Sequence, residues 1–265
     1  MKKELAVLAM VVLSCFCMVY KVEAGAKVEV PVVSGYLFRG LLLNDEAVVQ
    51  PLVTASAANG FAVYTWGNFD LTDHNMFGND NSRGFSEVDL TVEYTPPLPI
   101  PNATISFGCA QYLYPDPTYA IPASPAEGVN AKPTRELYAV IATTFLLEPT
   151  LSVYFDIDSA DGAFYGNFKI GQSLLKKDKI TLSANASIGY ANSTYNRYYL
   201  SLDRSAVNEL NVGLKAIYTL NDAISFSASA AYCTLLDSKV DDAAEEVWRN
   251  DGDTVIGSVG ATYSF

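Results

Sequence analysis

Alternation with a period of two runs through this sequence, and its apolar half carries almost no charge. In FSEVDLTVEY, Ser86, Val88, Leu90, Val92 and Tyr94 share one face, while Phe85, Glu87, Asp89, Thr91 and Glu93 share the other. TLSVYFDID sets Leu151, Val153, Phe155 and Ile157 against Ser152, Tyr154, Asp156 and Asp158, and KITLSANASIGY sets Ile180, Leu182, Ala184, Ala186, Ile188 and Tyr190 against small polar residues. The chain stops on the same pattern: Val255, Gly257, Val259, Ala261, Tyr263 and Phe265 fall on one face, and Thr254, Ile256, Ser258, Gly260, Thr262 and Ser264 on the other. Successive side chains of a strand point to opposite faces, so these stretches read as β-strands with one apolar side.

About twelve such segments of roughly ten residues, the length a tilted membrane strand needs, start near Val28, Ala47, Phe61, Phe85, Ala103, Arg135, Thr150, Ala163, Lys179, Val207, Ala223 and Thr254. Connections are short at Asn59-Gly60, Pro96 to Asn102, Leu147 to Pro149, Lys176 to Asp178 and Asn221-Asp222, and mostly long at 71–84, 115–134, 192–206 and 237–253. Short turns at one end and long loops at the other are the asymmetry of an antiparallel transmembrane β-barrel. A soluble β-sandwich also alternates. The uncharged apolar faces favour the barrel, as do the aromatics at their ends: Phe61, Tyr94, Phe145, Tyr218 and Phe265 toward the short turns, and Phe69, Phe164 and Tyr190 toward the other rim. Pro31 and Pro51 fall inside the first two segments, where each requires a bulge or a later start.

The chain opens with Lys2 and Lys3, an apolar stretch from Leu5 to Tyr20, and Val22-Glu23-Ala24, the pattern of a cleaved secretory signal peptide over 1–24, with the barrel over 25–265. Without that segment, and so without three lysines and two glutamates, 14 Lys and Arg remain against 27 Asp and Glu. So acidic a chain is a poor partner for nucleic acid. Its expected partners are outer-membrane lipid, lipopolysaccharide and the barrel assembly machinery; the oligomeric state stays open. No later stretch is long and apolar enough for a membrane helix. Cys109 and Cys233 remain, too few for a disulfide framework.

Two resemblances sharpen the picture. Ser258 to Phe265, with Gly260, Tyr263 and Phe265 at fixed spacing, is similar to the terminal signal of bacterial outer-membrane barrels, which the assembly machinery recognises. SGYLFRGLLLND, with GFAVYTWGNFD and EVDLTVEY, resembles the opening of the TorF porin family, also called Gcw_chp. Tyr36, Phe38, Arg39 and Gly40 match its Tyr-x-Phe-Arg-Gly run, and Gln50 its later Gln, over roughly residues 34–94. The resemblance implies an outer-membrane barrel of porin type without an established substrate.

Candidate chemistry is sparse. His74, the only histidine, stands beside Asp73 and near Asp70; a water-activating site there competes with a solvated loop histidine. No serine-histidine pair exists on a strand's outer face for a barrel phospholipase. Asn79 to Gly84 looks like a calcium loop, but Arg83 holds a ligand position and the distal glutamate is missing. Asp241, Asp242, Glu245, Glu246, Asp251 and Asp253 crowd the last long loop, either bridging lipopolysaccharide through divalent ions or simply solvated. No cofactor is implied. The alternation sets Glu87, Asp89, Glu93, Glu136, Asp156, Asp158 and Glu209 inward, against Arg39, Lys169 and Lys215. These charges must face water or one another. The expectation is a non-enzymatic, narrow channel for small hydrophilic solutes that prefers cations, its lumen either water-filled or plugged by paired charges; the alternatives are a scaffold barrel that binds a partner through its loops, or an outer-membrane hydrolase.

Overall fold

The structure is a computed structural model, and it describes residues 25–72, 83–115, 132–249 and 252–265. The expected signal peptide, Asp73, His74, the calcium-like stretch up to Asn81 and Ser82, and Asp251 lie outside them. In chain order the strands are β1 (Gly25–Val33), β2 (Tyr36–Phe38), β3 (Leu41–Asn44), β4 (Val48–Val49), β5 (Leu52–Ser56), β6 (Phe61–Asp70), β7 (Gly84–Tyr94), β8 (Ala103–Leu113), β9 (Thr134–Thr143), β10 (Thr150–Asp156), β11 (Phe164–Lys177), β12 (Ile180–Ala191), β13 (Ala206–Thr219), β14 (Ile224–Leu235) and β15 (Asp253–Ser264). From β6 onward each strand pairs antiparallel with the next; β4 and β5 pair with both β6 and β1, and β1 pairs with β15. Because β4 and β5 are two halves of one position, the wall is a closed twelve-stranded antiparallel transmembrane barrel. Every expected segment is a wall strand, starting within three residues of its expected place.

The break at Gln50-Pro51 answers the proline problem. Pro51 sits between β4 and β5, where no ladder N–H is needed, and the Pro31 carbonyl still accepts from Gln50 N at 3.0 Å. Opposite Pro31 is Gly260, where a Cβ would lie 3.0 Å from the Pro31 Cα; the glycine lets the two backbones approach.

Apolar side chains line the outside: Val255 is 71% exposed, Val259 60% and Phe265 63%. Only a bilayer suits so large an apolar band. The expected aromatics flank it, with Phe61 stacked near Tyr94 at 4.6 Å and Tyr263 near Phe265 at 4.8 Å by the short turns. Toward the long loops, Phe69 meets Phe85 at 5.2 Å and Phe155 meets Phe164 at 4.9 Å.

Among the departures from simple alternation, three move residues from their expected faces. A bulge between Asn68 and Phe69 shifts the register against β7, so Phe85 packs against outward Phe69, while Ser86 turns in and is buried beside Glu87. Arg135 lies on the outer face, where no charge is expected. It pairs with Asp158 at 2.9 Å, both of them exposed at the rim. Asp158 is therefore not inward, because β10 ends at Asp156 and the chain turns before reaching it. Cys109 and Cys233 face opposite sides of the wall, and both are free.

Among the described residues, two helices stand in the long loops. α1 (Ser193–Leu200) is capped by Asn192, whose side-chain oxygen accepts from Tyr195 N at 2.9 Å. α2 (Ser238–Trp248) is capped by Asp237, which accepts from Lys239 N at 2.9 Å and pairs with Arg204 at 2.7 Å. Trp248 Nε1 donates to the Tyr199 carbonyl at 2.7 Å and ties the helices together. The acids expected in a loop, Asp241, Asp242, Glu245 and Glu246, ride on α2.

Candidate functional site: the plugged lumen

The run Tyr36 to Asn44 is not wall. β2 and β3 pair only with each other, a small hairpin between the first two wall strands. Arg39 and Gly40 turn its tip, both with positive φ, 50° and 86°. That is the handedness a two-residue hairpin turn needs, and arginine rarely adopts it. A Cβ on Gly40 would sit 2.8 Å from the Glu209 Cβ, so the tip is pressed against the far wall.

The hairpin lies inside the barrel. Tyr36, Leu41, Leu43 and Val48 are buried in one cluster with Tyr195, Tyr199 and Leu200 of α1, Val240, Ala244 and Trp248 of α2, and Ala163 and Tyr165 across the barrel. An apolar layer thus spans the lumen at the long-loop end. Burial, with Asp156 adding a smaller push, raises the Tyr198 phenol to about 12, and burial likewise raises Tyr195 and Tyr199, so the α1 rings stay neutral.

Beneath this layer lies the charge cluster. The Arg39 guanidinium donates to both Glu136 oxygens, at 2.8 and 2.6 Å, and its carbon lies 4.5–4.7 Å from the ring centroids of Phe38, Tyr154 and Tyr165. The planar fork satisfies the carboxylate while the ring faces hold the cation. Tyr112 OH donates to Glu136 at 2.7 Å, Tyr36 OH to Glu87 at 2.8 Å, and Tyr165 OH to Glu209. Glycines make room for this: a Cβ on Gly189 would fall on the Glu209 carboxylate. Lower down, Tyr64 and Tyr138 donate to the two oxygens of Glu93 at 2.9 and 2.8 Å, and Tyr138 crosses Gly108 to do so.

Below the cluster the lumen lining is polar and reached by solvent. Ser183, Asn185, Ser187, Asn211, Ser227 and Ser229 face inward without being buried, and inward Lys169 and Lys215 are exposed. Small polar side chains and bare ammonium groups inside a barrel mean water. The lumen is therefore a vestibule open toward the short turns and a constriction toward the long loops.

Of the residues expected to line the lumen, Glu87, Asp89, Glu136 and Glu209 meet around Arg39, Glu93 lies just below, and Lys169 and Lys215 stand apart in the vestibule. Asp156 is buried at the rim, accepting from Thr134 Oγ1 at 2.6 Å and from Asp158 N and Ala160 N, which makes it a turn staple. Arg39 reaches the lumen from the inner hairpin, not the wall. Sequence reasoning missed the hairpin, although Leu41-Leu42-Leu43 broke the alternation there. Among the described residues no three His, Cys, Asp or Glu side chains converge as a metal site.

The profile of a family described as "Bacterial protein of unknown function (Gcw_chp)" matches residues 23–245. No curated protein sequence matches the chain. Among solved structures, the KdgM porin superposes with a TM-score of 0.50 at 10% identity, covering 91% of this chain and 99% of that one. The NanC porin gives 0.51 at 10% identity, covering 90% and 98%. At that identity the likeness shows a shared barrel fold.

Proposed function

This chain belongs to the Gcw_chp family, and from its lumen we propose that it is a narrow outer-membrane channel for small hydrophilic solutes, held closed by the β2–β3 hairpin and cation-preferring when it conducts. The observation that carries this reading is the pairing of a water-lined vestibule with a constriction formed by a separate element of the chain. A barrel with no transport role has no need to keep half of its lumen wet and the other half stoppered by a hairpin separate from the wall. Tyr36, Phe38, Arg39 and Gly40, the run by which the chain resembles TorF porins, form the stopper itself. The fold it shares with the KdgM and NanC porins supports the same reading, as does an outward apolar band suited to the outer membrane.

The selectivity follows from the charge at the narrowest level. Glu87, Asp89, Glu136 and Glu209 surround one Arg39, and Glu93 adds a further carboxylate below. Fixed negative charge in a low-dielectric passage lowers the energy of cations and raises that of anions. Planar-bilayer recording of the purified protein tests both parts. Small, infrequent conductance steps are expected, with reversal potentials across a salt gradient that favour cations. The preference should shrink as salt rises, since the Debye length is ~10 Å at ~0.1 M. Converting Glu87, Asp89 and Glu93 to Gln, Asn and Gln should remove most of it. An anion preference would instead assign selectivity to Lys169 and Lys215 of the vestibule.

The helical cap over the long-loop end favours a second reading, a scaffold barrel that binds a partner through α1 and α2. A barrel that conducts neither as it stands nor with its hairpin loosened would establish that reading.

A further inference from the structure

On the outer wall, at the rim of the short turns, β11, β12 and β13 frame a shallow cavity of about 440 Å³, lined by Leu175, Lys177, Asp178, Lys179, Ile180 and Tyr218. A bulge puts this lining there. As far as Ser173, which faces Ser183, the odd positions of β11 point into the lumen; one extra residue, Leu174, reverses the parity, so that Leu175 lies beside outward Leu182 and Lys177 beside outward Ile180. Without it Lys177 would point into the vestibule. Ile180 is in turn the partner of Tyr218, so a cation, an aliphatic side chain and a phenol stand side by side across three strands. Lys179 Nζ donates to the Leu220 carbonyl at 2.6 Å, which fixes its ammonium at the end of β13 that carries Tyr218. Among the described residues neither Lys177 nor Lys179 makes an ion pair, although Asp178 separates them in the chain. The chain has 29 acidic against 17 basic residues, yet Lys176, Lys177 and Lys179 meet at this turn, while the turns at 57–60, 95–102, 144–149 and 220–223 on the same rim hold no Lys or Arg. Beyond Leu182 the outward row of β12 shrinks to Ala184 and Ala186, flanked by Ile170 of β11 and by Leu214 and Val212 of β13. A furrow therefore runs up the wall from the lysines into the apolar band.

Two ammonium groups, a phenol at the interface and an apolar furrow leading away from them match a phosphate with acyl chains behind it. A free phosphate has no use for the furrow, and a soluble partner would not reach a cavity that opens sideways onto lipid. A zwitterionic headgroup brings its own cation to a place where positive charge is already in excess. We infer that this cavity binds an anionic glycerophospholipid of the periplasmic leaflet, with its phosphate held by Lys177 and Lys179 beside the Tyr218 hydroxyl and an acyl chain laid along Ala184 and Ala186. The inference rests on an outer-membrane barrel with its short turns in the periplasm and does not require that the barrel conduct. The experiment is native mass spectrometry of the purified barrel in detergent, titrated with dioleoyl phosphatidylglycerol, dioleoyl phosphatidylcholine or glycerol 1-phosphate. The first phosphatidylglycerol should bind ~10-fold more tightly than phosphatidylcholine, and excess glycerol 1-phosphate should not displace it. Lys177→Gln with Lys179→Gln should bring the two lipids level, whereas Lys177→Arg with Lys179→Arg should keep the preference. Lys132→Gln with Lys239→Gln removes the same charge from the opposite rim and should leave the preference unchanged. Gel mobility before and after boiling reports whether each variant is a folded barrel. Equal binding of the two lipids by the parent, a preference that survives Lys177→Gln with Lys179→Gln, or an equal loss from the opposite-rim variant would overturn the site; displacement by glycerol 1-phosphate would overturn it in favour of a free phosphate site. A lipid preference in a barrel that never conducts would sink the channel reading alone, and conduction without the preference would sink this site alone.

Discussion

Excising residues 36–44 raises single-channel conductance ~10-fold or more, because it clears the stopper from a lumen that twelve strands hold open. The wall should survive the excision. β2 and β3 bond to each other and supply no ladder to the barrel, and Val33 is already the direct partner of Val48, so a short Gly-Ser turn rejoins the ends. Arg39→Ala is the milder form of the same change. It leaves Glu136 buried and without its cation, a loss of ~3–5 kcal/mol for a pair of this kind. Most of that cost falls on docking of the hairpin, so conductance should flicker upward. Adding Glu136→Gln should restore much of the closure, since the stranded charge is gone. Circular dichroism and gel mobility before and after boiling report whether each variant is still a barrel. A folded, excised barrel that conducts no better than the parent would show that the hairpin is not the closure.

Deleting Phe265 alone should cut the amount of folded barrel in the outer membrane to about a tenth, since it removes an interfacial aromatic from the strand that closes the wall. Phe265 N donates to the Ala26 carbonyl at 3.0 Å, its ring packs edge-on against Tyr263, and most of its surface faces outward. It therefore fastens the last strand to the first and anchors that junction where lipid meets water. Phe265→Trp, which keeps an aromatic ring and the backbone contact, should assemble normally, and barrels of the truncated chain that do assemble should conduct like the parent. The readout is the heat-shifted band in membrane fractions; an undiminished band would contradict the assignment.

The wall was legible because its physics is local. Two-residue periodicity, turn residues and segment length fix which stretches are strands and which face meets lipid, and the starts of β6, β8 and β10 fall where the pattern places them. What was not legible depends on three dimensions. Phe85 and Ser86 exchange faces through a bulge, and one extra residue leaves no mark in the alternation. Asp158 continues the alternation of β10 on paper, but the chain turns away before it. The inner hairpin was hidden because a strand directed into a lumen uses the same residue types as one in a wall, and an Arg-Gly tip lacks the Asn-Gly or Asp-Gly signature of such turns. The carboxylates around Arg39 were each assigned an inward face. Their convergence on one guanidinium depends on strand tilt and on the hairpin, and neither is written in any single segment.

The junction of β1 with β15 fixes an order of events. Lys27 and Ser264 are partners from opposite ends of the chain, and closing a loop that long costs roughly 3–4 kcal/mol more than closing a four-residue turn. The hairpins of consecutive strands therefore form early, while this seam forms last, after two unpaired edges have been exposed throughout export. Residues 36–44 leave the chain immediately after one of those edges. They are free to swing inward only while the seam is apart. Once it zips, the cap above and the wall around them bar re-entry, so a barrel that closes with its hairpin outside is trapped and must reopen to correct itself. Maturation would then show a slow phase whose rate follows the unpairing of β1 from β15, and that phase would vanish from the chain without its hairpin.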